Sequence, residues 1–119
     1  MPILTEWKDA RLARYHGSMA QLLDDYSEAG RILRTTLDHL NPTFLPQRAM
    51  AMIDLATIYP RQPHPEPERA TSLLGDALQI SEQTGLIEAT MRVADARRYL
   101  IPWHGEPFVT RLDEQLRYI

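Results

Sequence analysis

Four histidines are the first candidates for chemistry: His16, His39, His64 and His104. A helical metal site needs two ligands four residues apart on one face, and a zinc protease needs the HExxH arrangement. Neither spacing occurs. His64 lies in a proline-rich stretch and His104 follows Pro102-Trp103, positions that suit solvated or partly packed imidazoles. Asp24 and Asp25 are adjacent, whereas a glycosidase needs two carboxylates converging across a cleft. Neighbouring aspartates in a turn serve better as helix caps. No serine stands in a nucleophile elbow, and the five glycines are isolated rather than gathered into a phosphate-cradling loop. The chain contains no cysteine, which excludes a disulfide scaffold, a thiolate zinc site and a cysteine nucleophile. The expectation is a protein with no catalytic residue, no metal and no cofactor. An enzyme on a helix bundle remains a rival only if His16, His39 and His104 converge with Asp25.

Arginine is the distinctive cation. Lys8 is the only lysine among 13 basic residues. A guanidinium recognises carboxylates as a planar fork, at a peptide C-terminus or on an acidic segment. Arg11, Arg14, Arg61, Arg92, Arg97 and Arg98 carry that potential. The plainer reading of the same residues is a solvated helix face with charge pairs three or four residues apart. The net charge of −3 provides no bulk attraction to a phosphate backbone, so direct nucleic-acid binding is not expected.

The elements that must position these side chains read as helices. With 119 residues, 44% hydrophobic and 24% charged, residues 1–119 are one domain with enough apolar surface to fold. No run approaches the roughly 18 apolar residues of a membrane span. The start reaches charge by Glu6 without an apolar stretch, so no signal peptide is expected and the predicted location is cytoplasmic. Apolar residues recur at steps of three and four over 4–23, 26–40, 47–59, 66–83, 86–100 and 107–118. Asn41-Pro42, Pro60, Gly85 and the Pro102–Pro107 stretch separate the later segments. Six helices and no strand are predicted, and the short connections imply antiparallel hairpins. The stretch Pro60–Pro67 reads as a stiff connector, with polyproline recognition as its functional alternative.

Residues 10–42 resemble a tetratricopeptide repeat, whose period is about 34 residues. The likeness rests on Gly17 in the first helix, on Asp24-Asp25-Tyr26-Ser27-Glu28-Ala29, on Leu33 and Leu37, and on Pro42. A second copy is visible in 55–59 with Ala70, Leu74 and Ala77, and a more degenerate third runs from Ala89 to Leu116. Small residues at Gly17 and Ala29 allow close helix approach, and Tyr26 and Leu33 fill the space beside them. The resemblance implies an all-α fold of three antiparallel hairpins in a short right-handed array. It also implies groove-facing residues: Arg14, Ser18 and Gln21, then Met50, Ile53, Thr57 and Arg61, then Met91, Asp95 and Arg98.

The ending 100–104, with 106–109 and 111–114, is similar to the C-terminal region of actinobacterial helix-turn-helix regulators. That kinship implies the ligand- or partner-sensing half of such a regulator without its DNA-binding domain. The implied function is non-catalytic: a peptide or protein partner held in a concave groove. Dimerisation is the expected cover for an apolar terminal face. Two rivals stay open, a small-molecule sensor with a pocket among Met50, Ile53, Tyr59 and Trp103, and a dimeric assembly subunit. Met50 and Met52 suit either a core or an adaptable surface, and Trp7 and Trp103 suit the two ends of the array.

Overall fold

Proline starts helices in this chain more often than it interrupts them. The computed structural model describes residues 26–117. In it, helices α1 (Tyr26–His39), α2 (Leu45–Ile58), α3 (Pro67–Thr84), α4 (Ile87–Ala96) and α5 (Pro107–Arg117) follow in order. Pro46 stands in the first turn of α2, Pro67 opens α3 and Pro107 opens α5. The missing N–H costs nothing there, because the first turn has no intrahelical acceptor for it. Helix α2 therefore begins at Leu45, two residues ahead of the predicted segment. Gly85 ends α3 with φ of 70° and donates its N–H to Ser81 O at 2.8 Å. That left-handed closure favours glycine.

All five helices are α, and no strand occurs among the described residues. The predicted helix over 4–23 lies outside them, as do Trp7, His16, Gly17, Asp24 and Asp25. The segment 86–100 is corrected. Its α-helix stops at Ala96 and tightens into a 3-10 stretch, Arg97–Trp103, that contains Pro102. Pro102 has no N–H to continue an α ladder. A second 3-10 turn, Tyr59–Arg61, extends α2 around Pro60.

The core forms where small residues let helices meet. Ala29, Ala49, Ala56, Ala70, Ala77, Ala89 and Ala96 are all buried, and Leu33, Leu55, Leu74, Leu78, Val93, Leu100, Val109 and Leu112 fill the space between them. Helix α2 is buried on most of its circumference. It packs on α1, α3 and α4, and α3 packs on α4 and α5. A cluster of Leu40 and Ala51, with Leu37 and Phe44, seals the α1–α2 turn. At 18 Å, the shortest dimension is about two helices thick.

One bidentate ion pair ties the 3-10 stretch to α5. Arg97 Nε donates to Asp113 Oδ1 at 2.7 Å, and Nη2 donates to Oδ2 at 3.0 Å. The guanidinium holds the Asp113 carboxyl below the usual carboxylate range, chiefly through these hydrogen bonds. Arg97 is thus engaged in the fold and is not a free groove cation.

Leu78→Ala, at a fully buried site, should destabilise by about 2–5 kcal/mol in chemical denaturation. Ile87→Ala, on the surface, should stay within about 0.5 kcal/mol of the parent. Because the Asp113 pKa is lowered by folding, its contribution is full above about pH 4 and disappears as pH falls through the lowered value. Asp113→Asn should lower stability at pH 7 and flatten the acid limb of a stability–pH curve.

Candidate functional site

Helices α2 and α4 lie side by side, and their outward faces bound a cleft of about 220 Å³. Ile53, Asp54 and Thr57 come from α2, and Arg92, Asp95, Arg98 and Tyr99 come from α4 and the 3-10 stretch after it. Each set follows steps of three and four, so a single helix face presents it. Four residues assigned to a groove by repeat register, Ile53, Thr57, Asp95 and Arg98, therefore line one cleft. Ile53 is buried in the core and forms the apolar floor. Met91, another groove candidate, is 68% exposed one turn before Asp95, and Ile87 is 72% exposed a turn earlier still. Met50 is half-buried against the core.

The cleft carries both signs of charge. Arg92 pairs with Glu88 at 3.2 Å and Arg98 with Asp95 at 3.9 Å, all four side chains being largely exposed. Such pairs hold their partners weakly, so the arginines are available to a ligand. Arg98 Nη2 also donates to the Tyr99 hydroxyl at 2.9 Å.

Arg61 sits in the 3-10 turn beyond α2 rather than on a helix face. Its Nε donates to Thr57 O at 2.6 Å. Its guanidinium carbon lies 4.7 Å from the centre of the Tyr26 ring and 4.2 Å from that of Tyr99. Its Nη2 is buried and has no acceptor. Thr57 and Tyr99 belong to the cleft wall, so Arg61, assigned to the groove by repeat register, touches that wall without lining the cleft itself.

Among the described residues, the remaining candidates do not converge with this cleft. Arg14, Ser18 and Gln21 lie outside the described residues. Tyr59 is buried, and its hydroxyl accepts from Arg34 Nη2 at 2.6 Å and Nε at 3.2 Å. Trp103 packs against the core. Of Met50, Ile53, Tyr59 and Trp103, only Ile53 lines the cleft. His39 Nδ1 lies 2.8 Å from Thr35 O and His104 Nδ1 lies 3.1 Å from Ile101 O, contacts local to each backbone. No group of three or more metal-ligating side chains occurs among the described residues. No described helix is long and apolar enough to cross a membrane.

Sequence reasoning missed Asp54 and Tyr99. Asp54 is next to Ile53, and the step from Met50 to Asp54 is one helical turn, so a wider groove face would have included it. Tyr99 had no local signal, because its role comes from α4 packing on α2. A second cleft of about 340 Å³ lies between α3 and α5, where Phe108, Asp76 and Arg111 contribute to the wall. None of the groove candidates borders it.

Asp95 and Arg98 are 73% and 60% exposed, so they add little to packing. Asp95→Ala and Arg98→Ala should each shift the denaturation free energy by less than about 0.5 kcal/mol. No family model, curated protein or solved structure matches the chain.

Proposed function

We propose that this chain is a non-catalytic binding module of tetratricopeptide type, in which three helical hairpins stack into a short right-handed array. Its groove holds a peptide or protein segment with acidic character. The observation that carries the reading is the cleft itself: residues assigned to the groove from two different repeats, Ile53 and Thr57 with Asp95 and Arg98, share one depression. The packing of α2 on α4 and of α3 on α5, each skipping one helix, is what stacked hairpins would produce. An apolar stripe, Ile87 and Met91, extends the same face of α4 and offers side-chain anchorage beside the charged cleft. Regulation through a separate partner follows from the likeness to helix-turn-helix regulators.

A second reading has its own support. Exposed Ile87 and Met91 would be covered by a second copy of the chain, making the module a homodimer.

A fluorescein-labelled peptide of alternating glutamate and leucine tests the first reading by anisotropy. Saturable binding is expected, weakened at least about tenfold by Arg98→Glu and left unchanged by Arg111→Ala in the second cleft. Binding insensitive to Arg98→Glu would remove the cleft from consideration. Sedimentation at several concentrations, with Met91→Lys as the comparison, separates the dimer from the peptide receptor.

A further inference from the structure

The least satisfied polar group of the described residues lies behind the cleft. Arg61 Nη2 is buried without an acceptor, and of the guanidinium nitrogens only Nε has a hydrogen bond. A buried donor left unpaired is costly, and the two tyrosine rings compensate for the charge without supplying an acceptor. The rings and the Thr57 carbonyl do something else: they hold the guanidinium in one orientation.

We infer that Arg61 is the anchor for a ligand carboxylate at the α2–α4 cleft. This rests on the reading of that cleft as a binding groove. With Nε engaged, the terminal edge is the part of the fork left to bind. With aromatic rings over the guanidinium, an incoming group fits best in its plane. A carboxylate is planar and presents two oxygens along such an edge. A phosphate is tetrahedral, so some of its oxygens would project toward the rings. The acceptor enters past Tyr99 and Arg98. Arg98 is held there by exposed contacts, to Asp95, the Tyr99 hydroxyl and the Tyr99 ring 4.9 Å away, so it gives way at small cost. A chain terminus and an Asp or Glu side chain carry the same group.

Three pentapeptides with one apolar sequence distinguish these sources. The first ends in a free carboxylate, the second in an amide, and the third in an amide with glutamate at the last position. Dissociation constants are measured alongside the Arg61 Nε–Hε resonance in ¹H–¹⁵N spectra. The free acid, the glutamate peptide or both should bind about tenfold or more tighter than the plain amide and shift that resonance. Whichever gains identifies the source. Arg61→Lys, which keeps the charge and loses the fork, should bring all three peptides to parity.

Equal binding of the three peptides by the parent, with the Arg61 resonance unmoved, would overturn the inference while leaving the groove in place. So would an Arg61→Lys variant that melts earlier yet keeps the preference, because Arg61 would then be a structural rivet. If Arg61→Lys fails to fold, the parent's resonance shift decides. If no peptide binds, the groove reading falls, and an acetate titration at constant ionic strength decides Arg61 alone. A saturable shift of its resonance supports the carboxylate site, and a flat response removes it.

Discussion

The structure depends on how closely α2 can be approached. Alanine at 29, 49, 56, 70, 77, 89 and 96 leaves no side chain long enough to hold the helices apart, and every one of these positions is buried. Close approach lets the neighbouring leucines and valines make dense contact, where dispersion and burial act together. Gly30 shows how little room remains at one such place. A Cβ there would lie 3.1 Å from Gln62 Nε2 and 3.5 Å from Ile58 Cγ2. Helix α2 can contact α1, α3 and α4 because its own surface is mostly small or apolar.

The cleft follows from that constraint. With α2 and α4 in contact, the cleft outside their seam is bordered by polar side chains, Asp54 and Thr57 on one side and Arg92, Asp95 and Arg98 on the other. Adjacent arginines have opposite roles because each residue of the 3-10 stretch turns it by about 120°. Arg97 points to α5 and is neutralised by Asp113, whereas Arg98 stays on the exposed side with a loose carboxylate contact. Arg61 differs again. Its environment is aromatic rather than acidic, and its charge is accommodated by ring faces instead of a counter-ion.

Much of the helix layout was legible in the chain because its punctuation is local. The segments 26–40, 66–83 and 107–118 correspond to Tyr26–His39, Pro67–Thr84 and Pro107–Arg117. In each, apolar steps of three and four coincide with a proline or glycine boundary. The exception is 86–100, where periodicity ran on through Leu100 although the α-helix ends at Ala96. Leu100 is buried all the same, so the apolar pattern recorded burial correctly and the backbone type incorrectly. A 3-10 turn places its third residue nearly where an α-helix places its fourth, and periodicity alone does not separate them.

Residue types and spacing by themselves determined an all-helical chain among the residues described, the burial of its alanine and leucine stripes, and a set of polar residues left outside them. These properties are local, since the fate of a side chain on a helix follows from its angle around that helix. Only the tertiary structure decided that Thr57 and Arg98 border the same cleft, that Arg97 belongs to Asp113, and that Arg61 meets Tyr26 and Tyr99 while its Nη2 meets no acceptor. Those pairings join residues 16 to 41 positions apart. Nothing local encodes them, because they exist only once α2, α4 and α5 have been brought together by their buried faces.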